Sequence, residues 1–193
     1  MSRLMRQDAL RNRSRILEAG AQVFADQPTA GLAEVARHSG LTRATVYAHF
    51  DSRSSLLEAL ARRAFEEADL ALVEARPREG AADEALDRIV CSCWRIVERH
   101  RGVVALAWAE LPESTLHALH GGLEEELGTL ARRGRRLGSF RTDVPVRWLV
   151  ASFQGLVHAA GEEVGAGRMT ERDAERSLRS TVLAAWCARP PMP

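Results

Sequence analysis

The sequence predicts an all-α fold of about nine helices in two groups, short ones in the first 76 residues and longer ones after them. Three observations predict it. Apolar residues recur with the helical period almost throughout, and no stretch alternates convincingly with period two. Ala and Leu dominate the apolar residues, which favours helices over strands. Pro, Gly and Ser clusters cut the chain into lengths that suit helices. Apolar residues make up 46% and charged residues 27%, an ordinary balance for a packed domain.

The elements follow in order. Leu10, Leu17, Ala21 and Phe24 share one face of a first helix, with Ile16 and Val23 beside them, and it ends near Gln27-Pro28. Thr29 is placed to cap a short second helix that turns Leu32, Val35 and Ala36 inward. Gly40 supplies a positive-φ stop, and Thr42 an N-cap for a third helix running to Phe50. A fourth helix carries Leu56, Leu57, Leu60 and Ala64 on one face, and Pro77 to Ala81 reads as a linker. The fifth has the stripe Leu86, Ile89, Val90, Cys93, Ile96, Val97 and His100. Gly102 closes it, and a compact apolar helix follows from Val103 to Ala109. Ser114 to Leu137 aligns Leu116, Leu119, Leu123, Leu127 and Leu130, although Gly121-Gly122 weakens its start. A helix with Pro145 in its first turn runs to about Gly161. The last opens on a Thr170-x-x-Asp173 capping pattern and ends before Pro190-Pro191.

The most informative stretch is Leu32 to Phe50. Two short helices meet at His38-Ser39-Gly40-Leu41, the glycine-bearing tight turn of a helix-turn-helix. Leu32, Val35, Ala36, Leu41, Val46 and Phe50 form its small core. With Arg43 at 0° and steps of about 100° per residue, Tyr47, Ala44 and Ala48 fall at about 40°, 100° and 140°. Val46 and Phe50 fall outside that arc, at about 300° and 340°, and Thr45 and His49 between, at about 200° and 240°. A helix that offers Arg43, Ala44 and Tyr47 outward suits a major groove. Arg reaches the two acceptors of a guanine, and an Ala methyl touches a thymine methyl.

These residues carry a resemblance. Leu32 to Phe50 resembles the DNA-binding signature of the tetracycline-repressor (TetR) family in its Val35-Ala36 pair, its Gly40-Leu41-Thr42-Arg43 turn and its Thr45-Val46-Tyr47-x-His49-Phe50 run. Ile16-Leu17-x-Ala19-Gly20-x-x-Val23-Phe24 resembles the family's first helix, and Ser52 to Leu57 its fourth-helix start. The likeness covers about 50 residues, a helical domain's worth of chain. It implies that Thr42, Tyr47, His49 and Arg53 hold phosphates, while Arg43, Ala44 and Thr45 face bases. The chain departs from the pattern in two places. Ala30-Gly31 stand where the family has Gly and Thr or Ser, and Arg53 stands where it commonly has Lys.

The resemblance also implies a division of labour: residues 1–53 as the DNA-binding domain, 54–76 as a connecting helix, and 77–193 as a ligand-binding and dimerisation domain. Ala151, Gly155 and Ala159 form a ridge of small residues on which another helix can pack. With Leu178, Val182 and Trp186 of the last helix they are the expected homodimer interface. Trp94, His100, Trp108, Phe153 and His158 are the candidates to line a pocket for a hydrophobic or aromatic effector.

Charge supports this reading only when it is localised. The chain carries 27 basic residues, all Arg, against 26 acids, for a formal net charge of +1. Residues 1–53 hold eight Arg and five acids, and the rest 19 Arg and 21 acids, so a modestly basic head joins a slightly acidic body. Arg3, Arg6, Arg11, Arg13 and Arg15 form a basic arm opposed only by Asp8. The absence of Lys excludes Lys Schiff-base and P-loop chemistry.

Other classes find less support. Cys91, Cys93 and Cys187 are an odd set that suits a reducing cytoplasm. No secretory signal or membrane span is visible, so no membrane partner is expected. His117, His120 and Glu124 share a helical face, but the adjacent glycines and Leu stripe argue against a metal site, and no metal or cofactor is expected. No nucleophile–base motif points to an enzyme. The expected function is therefore a ligand-responsive regulator of an operator in double-stranded DNA, in most such proteins a repressor. The alternative is an all-α small-molecule-binding protein that does not bind DNA.

Overall fold

The computed structural model describes residues 3–188, and the side chains from Arg6 onward. Pro190-Pro191, expected to follow the last helix, lie outside the described residues. The chain forms eight helices within that range: α1 (Arg3–Asp26), α2 (Leu32–Ser39), α3 (Arg43–His49), α4 (Arg53–Glu74), α5 (Ala82–Glu110), α6 (Glu113–Arg136), α7 (Val146–Gly165) and α8 (Glu171–Trp186). None is long and apolar enough to cross a membrane.

The ninth expected helix is the second half of α5. Gly102 does not end the helix; the chain bends two residues earlier, at His100, with φ −109° and ψ 17°. Gly102 has a different reason to be small. A Cβ there would lie 2.8 Å from Cα of Ala25, so the glycine lets α5 lie against the last turn of α1.

Contacts divide the chain into two compact units, cut within helices rather than at the Pro77–Ala81 linker. One comprises the chain to Ala64 together with His100–Leu116, and the other Phe65–Arg99 with the chain from His117 on. In the first, α1 packs on α2 and α3. Its core is Ile16, Val23, Phe24, Leu32, Val35 and Val46 with the Leu56 and Leu57 face of α4. Leu10 is not part of it: at 67% exposure it lies on the solvated first turns of α1.

The second unit has the larger core, built from Leu86, Ile89 and Trp94 of α5, Leu127 and Leu130 of α6, and the inner faces of α7 and α8, which pack together. Gly134 leaves room for the Phe140 ring, whose nearest carbon is 2.1 Å from where a Cβ would stand. That ring meets Trp186 edge-on at 5.5 Å. Backbone bonds from Arg141 N to Trp186 O and from Ala188 N to Ser139 O, both 2.9 Å, tie down the end of α8. Cys93 sits in this core, where burial pushes its thiol up to about 12.

Two helix starts differ from the expected caps. Thr29 does not cap α2; Gly31 occupies the N-cap without a side-chain bond. Pro145 is itself the N-cap of α7 rather than a residue of its first turn. Thr170 caps α8 as the sequence predicts, accepting from Asp173 N at 3.1 Å.

Candidate nucleic-acid interface

The turn that sets α3 is built from backbone geometry. Gly40 takes φ 66° and ψ 22°, a left-handed pose open to glycine at no steric cost. Its neighbour closes the turn, Leu41 N donating to Ala36 O at 3.2 Å. Two side chains of α1 hold this corner from below. Arg15 donates to Ser39 O at 2.7 Å, and Gln22 bonds His38 Nε2 at 2.8 Å. Both bonds bridge long gaps in sequence, which is why helical periodicity does not reveal them.

Thr42 then caps α3, its hydroxyl accepting from Thr45 N at 3.1 Å and lying 2.8 Å from the Thr45 hydroxyl. The helix buries one side completely: Val46 is 0% and Phe50 4% exposed. The opposite arc is solvent-facing, with Thr42, Arg43, Ala44 and Ala48 exposed and Tyr47 53% exposed. Thr45 and His49 are half-buried at its flanks. Arg43, Ala44, Tyr47 and Ala48 thus share one exposed arc, as the helical wheel predicts, with the N-cap Thr42 exposed at its start and Thr45 at its flank. A large aromatic carrying a hydroxyl, left exposed on the helix surface, offers both its ring and its hydroxyl to a partner.

Beside this face lies an open cleft of about 490 Å³, lined among others by Arg13, Tyr47, His49, Asp51, Glu58 and Arg62. The Arg13 guanidinium stands 4.9 Å over the Phe50 ring, which fixes one cation of the basic arm at the cleft wall. The cleft floor is the start of α4, where Ser52 and Ser55 cap each other: Ser55 N donates to the Ser52 hydroxyl at 3.0 Å and Ser52 N to the Ser55 hydroxyl at 3.2 Å. The Ser55 and Ser52 hydroxyls also hold the Asp51 carboxyl below its ordinary range.

Arg53, which the resemblance assigns to a phosphate, is engaged within the chain. Its Nε donates to Ala30 O at 2.9 Å, Nη2 to Pro28 O, and Nη1 to Glu110. The guanidinium lies 4.8 Å over the Phe24 ring, with the side chain only 24% exposed. Glu110 and Phe24 are the functional neighbours that sequence reasoning misses. No local pattern announces a partner 57 residues away or a backbone carbonyl as acceptor.

The other candidate sets separate. Trp94 and Phe153 are buried in the second unit, each 1% exposed. His158 belongs to the same unit and faces Glu162 at 3.2 Å. His100 and Trp108 belong to the first unit, so the five expected pocket residues are not a single cluster within one unit. Leu178, Val182 and Trp186, expected at a dimer interface, are 3%, 0% and 0% exposed and form their own unit's core. Ala151, Gly155 and Ala159 do face outward on α7, and nothing lies within 4 Å of where a Gly155 Cβ would stand. Trp148, on the same ridge, is 62% exposed. Its spacing of three and seven residues from Ala151 and Gly155 is the signal that could have found it.

Comparison with known proteins agrees with this geometry. Residues 16–60 match the family described as bacterial regulatory proteins, tetR family. Over 80 residues the chain is 41% identical to the HTH-type transcriptional repressor LfrR of Mycolicibacterium smegmatis, a match spanning 42% of each chain. In sequence, then, the chain aligns with less than half of that relative's length. The solved structure of LfrR from Mycobacterium smegmatis in complex with proflavine superposes over 91% of this chain and 96% of that one, with a TM-score of 0.72 and 27% identity. A putative transcriptional regulator from Saccharomonospora viridis, solved with choline, shares the fold at a TM-score of 0.78 and 21% identity, over 92% of this chain and 98% of that one.

Proposed function

The chain belongs to the TetR family of bacterial regulatory proteins, and from that premise we propose that it is a ligand-responsive repressor that reads a pseudo-palindromic operator as a homodimer in the cytoplasm. One observation carries the reading. The exposed arc of α3 holds Thr42, Arg43, Ala44 and Tyr47 over a fully buried Val46. Arg43 supplies the donors for a guanine and Ala44 a methyl contact. Thr42 and Tyr47 supply hydroxyls for phosphates, which set register without reading sequence. The alternative, a small-molecule binder that no longer binds DNA, has no use for a solvent-facing Arg–Tyr arc.

The dimer interface in this proposal is the outer face of α7, with Trp148, Ala151, Gly155 and Ala159, alongside the exposed Ser177, Thr181 and Ala184 of α8. Two such subunits place two copies of α3 on successive major grooves, about 34 Å apart or a multiple of it. The effector is a hydrophobic or aromatic small molecule held in the second unit, whose interior carries Trp94 and Phe153. LfrR's complex with proflavine supports that class. Effector and operator favour different conformations, so each lowers the affinity for the other.

A gel shift with the DNA upstream of the protein's own coding sequence tests the reading. Sequence-specific binding is expected, and Arg43→Ala or Tyr47→Ala weakens it by about tenfold to a hundredfold, the scale of one lost base or phosphate contact. A folded, effector-free dimer that binds no genomic fragment overturns the proposal.

A further inference from the structure

We propose that Arg53 is a positioning residue of the reading head: a three-way staple that fixes the segment before α2 to the end of α5, with Glu110 as its anchor. The inference rests on the DNA-binding reading above and replaces the phosphate contact that the family resemblance assigns to this position.

The local chain needs such a staple. The segment Gln27–Gly31 joins α1 to α2, and α2 begins on Gly31 with no side-chain cap. Nothing packs within 4 Å of where a Gly31 Cβ would stand. Gln27 O accepts from Ala30 N and Gly31 O from the first turn of α2, and the carbonyls of Pro28 and Ala30 accept from Arg53. The third arm of the fork takes Glu110, and the Phe24 ring covers one face of the guanidinium. The other partner is itself held in place, because α5 lies against Ala25 through Gly102. The segment that leads into α2, on which α3 packs, is thereby tied to the last turn of α5.

The chemistry selects arginine. Three acceptors in different directions around one plane match a guanidinium fork, whereas an ammonium is a point charge. A phosphate ligand has no such requirement, and lysine serves it well. The two roles therefore separate by substitution.

Operator affinity is measured across a salt series for wild type, Arg53→Lys and Glu110→Gln, on the fragment that wild type binds. If Arg53 positions, Arg53→Lys weakens binding by about tenfold, the scale of one lost charge-assisted bond, and leaves the salt slope unchanged. Glu110→Gln also weakens it, with unchanged slope and unchanged Tm. That sign is diagnostic, because removing a carboxylate near DNA otherwise strengthens phosphate attraction. In the absence of DNA, hydrogen exchange at Gln27, Thr29, Ala30 and Gly31 accelerates in both variants. Wild-type affinity in Arg53→Lys overturns the proposal. So does tighter binding by Glu110→Gln with a slope increased by about one, which makes Arg53 a phosphate ligand that Glu110 competes for. Unchanged exchange overturns it as well. Accelerated exchange in a protein whose wild type binds no DNA refutes the DNA reading and not the staple.

Discussion

The faces of α3 and α7 are both exposed, yet they are built from opposite chemistry. On α3 the outward arc is Thr42, Arg43, Ala44 and Tyr47, rich in donors and long enough to reach. On α7 it is Trp148, Ala151, Gly155 and Ala159, short side chains around one large apolar ring. A surface that recognises by hydrogen bonds needs polar groups held at fixed positions by a buried opposite face. A surface that recognises another helix needs backbones that approach closely and apolar area to remove from water. The contrast supports the proposed division, in which the first unit meets nucleic acid and the second a second copy of the chain.

The largest expected effect separates two tryptophans of the second unit. Trp186 is 0% exposed, and its indole N–H finds no acceptor among the described residues. Trp186→Ala removes a fully buried aromatic and lowers stability by about 3–5 kcal/mol in chemical denaturation. Trp186→Phe costs much less, since the donor it deletes makes no bond. Trp148→Ala leaves the monomer's stability nearly unchanged and weakens self-association. If the two alanine variants destabilise equally, the division between core and interface on α7 and α8 is wrong.

Gly155→Glu is next. The position is open in the single chain, so the carboxylate costs the monomer little beyond a helix-propensity change. In a dimer packed on this ridge it is buried without a partner, which costs several kcal/mol. The dimer dissociation constant, read by analytical ultracentrifugation, then rises by about a hundredfold or more. An unaltered dimer moves the interface to another face.

How far the sequence led differs between the units for a physical reason. The arc of α3 was legible because a seven-residue helix with Val46 on one side has few ways to lie on its neighbours. Periodicity alone then separates the exposed arc from the face that packs. On α8 the stripe Leu178, Val182, Trp186 was equally legible as apolar, but a stripe does not say whether its own unit or a second chain covers it. The structure answers that with burial in the unit's own core. Gly102 misled in another way. A glycine near a helix end suggests a stop, yet here it serves a close approach to Ala25, and the bend falls on His100. Arg53 lay furthest from view. Its acceptors are two carbonyls and an acid distant in sequence, and nothing in residue type or spacing encodes such a set.

The smallest expected effect tests whether the α3 arc is a reading surface or only a well-capped helix, because Thr42 sits in both roles. Its hydroxyl accepts from Thr45 N at 3.1 Å, so Thr42→Ala removes the cap and lowers stability by about 1 kcal/mol. Thr42→Ser keeps the acceptor and restores stability. If the same hydroxyl also donates to a phosphate, Thr42→Ala weakens operator binding, Thr42→Ser restores it, and Arg43→Ala does not change the thermal midpoint at all. The cap accepts through the oxygen lone pairs, while a phosphate contact uses the hydroxyl hydrogen, which points either outward or to the Thr45 hydroxyl 2.8 Å away. Thr45→Val, which removes that internal competitor, therefore leaves the cap intact and frees the Thr42 hydrogen. Operator affinity that holds or rises in Thr45→Val assigns the contact to Thr42. Affinity that falls as it does in Arg43→Ala moves the contact to Thr45, at the flank of the same arc.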